Sequence, residues 1–145
     1  MTDMILRRAL AAAGTTVLAQ SDPIAARMAL MKANNDNARN VGQMIRGQAL
    51  FDAAKVDAAF VQWAETAQKL PGLFPANSKT GEKSRAAPKI WDNKADFDAK
   101  AAAFAKAVAH NRAEAKTSLD GLKTAFKPVS DACDACHKDY RLSQR

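Results

Sequence analysis

Apolar residues recur along most of this chain at steps of three and four, the spacing of a single helical face, and the sequence reads as helical throughout. Alanine is abundant and β-branched residues are few, which favours helix over strand. Asp22 as N-cap and Pro23 in the first turn open a first helix, expected to run to about Gly47. A second is expected over about Asp52 to Lys69, with Val56, Phe60, Trp63, Ala67 and Leu70 forming one stripe. The periodicity then stops. Residues 71–92 contain Pro71, Gly72, Pro75, Gly81 and Pro88, the composition of a crossover loop, with room for one turn around Ile90 and Trp91. A third helix is expected over about Asn93 to Lys116, with Phe97, Ala101, Phe104, Val108 and Ala115 along it. The fourth, about Ser118 to Leu142, carries Leu119, Leu122, Phe126, Val129, Cys133, Cys136 and Tyr140 on one face. Pro128 lies inside it and should kink it or cost it a hydrogen bond. The fold class is therefore all-α: an antiparallel four-helix bundle with a long crossover loop between its second and third helices.

The first residues follow a different pattern. Arg7 and Arg8 precede an apolar run from Ala9 to Ala19, with small residues Val17 and Ala19 at its end. This three-part arrangement is that of a secretory signal peptide, and the run is too short to span a bilayer. Cleavage is expected before Gln20, so residues 1–19 are read as leader and residues 20–145 as one domain with one core. Loss of the leader removes two positive charges and one negative, taking the formal net charge from +7 to +6. The remaining Lys and Arg are scattered as on solvated helix faces. There is no run of five or six like charges, and no interleaving with aromatics, so nucleic acid is not an expected partner. A diffuse positive surface can still steer weak encounters with acidic redox proteins.

The chemistry is concentrated in Cys133-Asp134-Ala135-Cys136-His137. A C-x-x-C-H run is a c-type haem attachment signature, in which two thiols add across the vinyl groups and the next imidazole becomes an axial ligand of the iron. These are the only two cysteines, so a four-ligand zinc site and a disulfide framework are both disfavoured. A thioredoxin-like redox pair would require a βαβ setting that the chain lacks. The aromatic stripe residues Phe60, Trp63, Phe97 and Phe104 suit the walls of a haem pocket, although core packing alone also accounts for such stripes. On the other side of the iron, His110 sits on a polar face beside Arg112. Met28, Met31 and Met44, all on the first helix, are the thioether candidates; taken singly, each also reads as core filler. No carboxylate pair is placed for hydrolysis, and the chain is not expected to be an enzyme.

Three segments carry a family resemblance: Ala132-Cys133-Asp134-Ala135-Cys136-His137-Lys138-Asp139-Tyr140-Arg141, Gly47-Gln48-Ala49-Leu50-Phe51-Asp52, and Pro88-Lys89-Ile90-Trp91. Together, in this order and spacing, they resemble the cytochrome c′ family over nearly all of residues 20–145. The resemblance implies a periplasmic four-helix-bundle cytochrome, not membrane-spanning and often dimeric, with one covalent haem c held through Cys133 and Cys136. It also implies two alternatives. In high-spin members the sixth position is empty and binds nitric oxide or carbon monoxide; in low-spin relatives a Met on the first helix ligates the iron and the protein is a one-electron carrier. The residue at that position here is Met31. Its surroundings, Leu30-Met31-Lys32, Asn34-Asn35 and Leu70-Pro71-Gly72-Leu73-Phe74-Pro75, resemble the low-spin branch more closely. Arg27, one turn earlier, resembles an Arg that lies near a haem propionate in cytochromes c′, and Arg141 resembles one covering the proximal face. The expected site is thus Cys133, Cys136, His137, Met31, Arg27 and Arg141, with His137 and Met31 as metal ligands.

Overall fold

The computed structural model describes residues 22–81 and 83–143; the expected signal peptide and its cleavage site lie outside them. The order of elements is α1 (Pro23–Ile45), α2 (Ala53–Lys69), two 3₁₀ turns (Leu70–Leu73 and Ala76–Ser78), the single-turn α3 (Lys89–Asp92), α4 (Lys94–Ala115) and α5 (Leu119–Tyr140). The four long helices form an antiparallel bundle, with α2 and α4 joined by the crossover that sequence periodicity left blank. Among the described residues, no helix is long and apolar enough to cross a membrane.

Three of the four long helices, α1, α2 and α5, start where a side chain satisfies a free backbone amide. Asp22 Oδ1 accepts from the Ile24 amide (2.9 Å), Asp52 Oδ1 from Lys55 (3.1 Å) and Ser118 Oγ from Gly121 (3.0 Å). Gly47, at φ +71°, closes α1 in the left-handed region. Its N–H reaches Met44 O (3.1 Å) and that of Gln48 reaches Gln43 O (2.8 Å), the paired bonds of a glycine C-cap. Helix α5 runs through Pro128 without interruption. It stops at Tyr140, two residues before the expected end, because the chain beyond pairs with the crossover instead. The Leu142 amide donates to Arg85 O (2.7 Å), the Ala87 amide to Tyr140 O (2.9 Å), and Arg85 Nε and Nη2 both donate to Leu142 O.

The buried side chains form two clusters. The larger contains Val41, Met44, Val56, Phe60, Trp63, Phe104, Val108, Leu122 and Val129 from all four long helices. The smaller, at the crossover end, centres on Ile90, Phe97 and Tyr140, with Phe74, Trp91 and Cys136 against it. Tyr140 is buried, meets Phe97 edge-on (5.3 Å between centroids) and donates its hydroxyl to Asp96; burial, then that bond, push its pKa up to about 12.

An ion pair ties α2 to α4. Arg112 grips Asp57 through Nε (2.8 Å) and Nη2 (3.1 Å), and Lys116 adds a third contact at 3.2 Å. The Arg112 hydrogen bonds, then that of Lys116, lower the Asp57 pKa to about 2 from 3.8. A carboxyl depressed on folding contributes stability above its unfolded pKa and loses it as pH falls through its folded one. Asp57→Asn should therefore lower the unfolding midpoint at pH 7, and the gap between variant and wild type should close between about pH 4 and 2. A gap that is constant across this window in denaturant titrations would show that the pair has no linked proton.

Candidate functional site

The Cys133–His137 run of α5 is presented to a cavity of about 680 Å³ lined by residues of both clusters. Trp63, Phe104 and Val129 line it from the larger cluster, and Phe97, Ile90 and Tyr140 from the smaller. Of the four aromatics considered from the sequence, Trp63, Phe97 and Phe104 are wall residues. Phe60 is not; it is fully buried behind Trp63, with ring centroids 5.0 Å apart. Phe126, stacked on Trp63 at 5.7 Å, takes the wall position instead.

Cys133, Cys136 and His137 all line this cavity, because α5 turns one face towards it over its last two turns. No disulfide joins the two cysteines. Burial, then the Asp134 charge, push the Cys133 thiol up to about 11, and burial likewise raises Cys136. His137 is shifted the other way. Burial, then the positive charge of Arg141, lower its pKa and favour the neutral imidazole that a metal requires.

Met31 and Met28 reach the same cavity from α1, across from α5. Met44 does not: it is 3% exposed in the larger cluster and serves as core filler. His110 is exposed and lies away from the cavity. Arg27 and Arg141 also line it, in different settings. Arg141 stands exposed at the mouth, just beyond the end of α5, with its amide on His137 O (3.1 Å). Arg27 is only 4% exposed. Its Nη1 donates to Leu73 O and Ser78 Oγ (both 2.9 Å), and its Nη2 to Ser78 O (2.8 Å) and Ser84 Oγ (3.2 Å). The guanidinium also lies 4.7 Å from the Phe74 ring centre and 5.8 Å from that of Trp91. All four terminal N–H groups are thereby committed to the crossover, a partner set that helical periodicity could not reveal.

These residues fit a haem. Two thiols and an imidazole share one apolar chamber, a thioether faces them from another helix, and Lys83, Arg85 and Arg141 add positive charge at its margin for the two propionates. Among the described residues, no three His, Cys, Asp or Glu converge to hold a bare ion. Sequence reasoning missed one set of residues here. Asn34 lines the cavity beside Met31 and is hydrogen-bonded to α2 through Gln62 and Thr66.

A helical bundle with a C-x-x-C-H helix facing an apolar chamber defines a c-type haem protein. The family model described as Cytochrome C′ matches residues 22–141, and the chain belongs to this family. It is 39% identical to cytochrome c-556 of Rhodopseudomonas palustris over 95% of both chains. With the cytochrome c′ of the same organism it shares 40% identity, over 88% of this chain and 86% of the relative. The solved cytochrome c′ from Rhodopseudomonas palustris superposes with a TM-score of 0.82 at 36% identity, covering 87% of this chain and all of that one. The protein is thus a haem c cytochrome.

Proposed function

We propose that this cytochrome is a periplasmic one-electron carrier whose iron is six-coordinate, with His137 and Met31 as axial ligands and Cys133 and Cys136 in thioether linkage. The observation that carries the reading is that the Met31 and His137 side chains line one chamber from different helices, α1 and α5, while Met44 and His110 do not reach it. Met28 also lines the chamber but is 38% exposed. The similarity to a cytochrome c-556 fits the low-spin branch; the equally close cytochrome c′ keeps the five-coordinate, gas-binding reading as the alternative.

The bound haem supplies a one-electron iron couple, and no substrate or proton-transfer residue is required of the chain. His137 offers a neutral nitrogen, and the Met31 thioether favours the reduced state. The aromatic walls exclude water from the centre. Arg27 holds the crossover over the chamber, Arg141 covers the side on which His137 lies, and exposed Lys83, Lys138 and Arg141 near the mouth attract acidic redox partners. A homodimer, as the family resemblance implies, is compatible with these roles.

The visible spectrum of the reduced holoprotein, recorded with and without carbon monoxide, tests the assignment. A sharp α band unmoved by the gas is expected. A broad high-spin band that shifts promptly on adding carbon monoxide would transfer the protein to the gas-binding alternative.

A further inference from the structure

Next to Met31 lies a hydrogen-bonded chain whose direction is dictated from one end. Asn37 Nδ2 donates to the backbone carbonyl of Ala33 (3.1 Å) and to Gln62 Oε1 (3.1 Å). A carbonyl only accepts, so the nitrogen of Asn37 must face it. Gln62 then has its oxygen on Asn37, and its amide nitrogen is turned to Asn34 Oδ1 (2.9 Å) and Thr66 Oγ1 (2.9 Å). Thr66, fully buried, passes its own proton to Asn34 Oδ1 at 2.8 Å. Asn34 Oδ1 therefore accepts twice, and its amide nitrogen is left pointing the other way, 3.8 Å from Met31 Sδ. The Trp63 indole, donating to Asn34 O (3.3 Å), holds the main chain of this residue against α2. Flipping the Asn34 amide would set its nitrogen against the Gln62 amide nitrogen, a group that can only donate, and would lose the bond from Gln62 to the Asn34 oxygen.

We infer that Asn34 is a positioning residue for the distal ligand: the Thr66–Gln62–Asn37 network locks its amide so that Nδ2 donates to the sulfur of Met31. The inference rests on the proposed ligation by Met31. An N–H donor at the sulfur fixes which lone pair faces the iron and withdraws charge from the thioether, which disfavours the oxidised state. The donor thus holds the reduction potential up and retards displacement of the sulfur by other ligands.

The holoprotein and two variants test this. Asn34→Leu removes the donor with little change in volume. Gln62→Leu keeps Asn34 but removes one of the two donors that hold its oxygen, the one that cannot reverse, and gives a second route should the first variant fold poorly. Removal of a neutral hydrogen bond should shift the oxidation equilibrium of each roughly threefold to tenfold towards the oxidised form, about 30–60 mV lower in potential at 59 mV per decade. The sulfur-to-iron charge-transfer band of the oxidised protein should persist but move, and carbon monoxide should displace the sulfur severalfold faster. An unchanged potential in both variants, with the band intact, would overturn the role of Asn34 and leave Met31 ligation standing. Lack of that band in the wild type, before any substitution, would instead overturn ligation itself and the inference with it.

Discussion

Met31→Ala should open the position that Met31 is proposed to fill and give a cytochrome that binds external ligands. The thioether is the only soft donor besides Met28 to face the chamber from α1, and Met28 is part exposed at its edge. Alanine preserves the helix, since it has the highest helix propensity, so the substitution removes the donor without breaking α1. The reduced variant should show a broad high-spin α band and take up carbon monoxide promptly. Its potential should fall by a tenth to a few tenths of a volt, within the ~0.8 V range over which axial ligands act. Spectral titration with carbon monoxide and potentiometry would check both effects. A variant that keeps the wild-type α band and refuses the gas would show that Met31 only packs against the site.

Arg27→Ala should produce the largest loss of stability among the contacts that tie the bundle to the crossover. The guanidinium is buried, and its four terminal N–H groups satisfy oxygens on Leu73, Ser78 and Ser84, segments 46 to 57 residues away. Removal leaves the buried Ser78 hydroxyl with its bond to Pro75 O only and its carbonyl without the charged donor. The expected cost is about 3 kcal/mol, of the order of one or two hydrogen bonds to a charged group. Unfolding of the oxidised holoprotein in guanidinium would read it, and amide exchange over residues 73–84 should accelerate. Arg27→Lys should rescue little, because a single ammonium nitrogen with three donors cannot serve four acceptors spread over the two guanidinium nitrogens. If Arg27→Ala instead left stability within about 0.5 kcal/mol and moved the potential, Arg27 would be a propionate partner and not a crossover anchor.

The helices were legible because each carries its own instructions. Asp22, Asp52 and Ser118 cap from within two or three residues, Gly47 ends α1 by its own backbone preference, and the stripes of α2 and α4 need only a period. The attachment helix was legible for the same reason, since its thiols and imidazole lie within five residues. The end of α5 was misjudged by two residues because its stop signal is Ala86, a distant partner and not a local one. Phe60 and Phe126 exchanged roles for a similar reason. Both sit on apolar stripes, and periodicity assigns a residue to the interior without saying whether it meets another ring or the chamber wall.

The sequence by itself determined the helical class, the covalent haem chemistry and the short list of axial donors, because these depend on spacings within a turn or two of helix. Only the tertiary structure decided which donors share a chamber, that Arg27 is buried and gripped by the crossover, and that Asn34 faces Met31 with its nitrogen. Those outcomes depend on packing between helices distant in the chain and on hydrogen bonds between residues 25 to 57 positions apart. The polarity of a half-buried amide is set by whichever acceptor its neighbours cannot change, here the carbonyl of Ala33, and no local pattern along the chain records that choice.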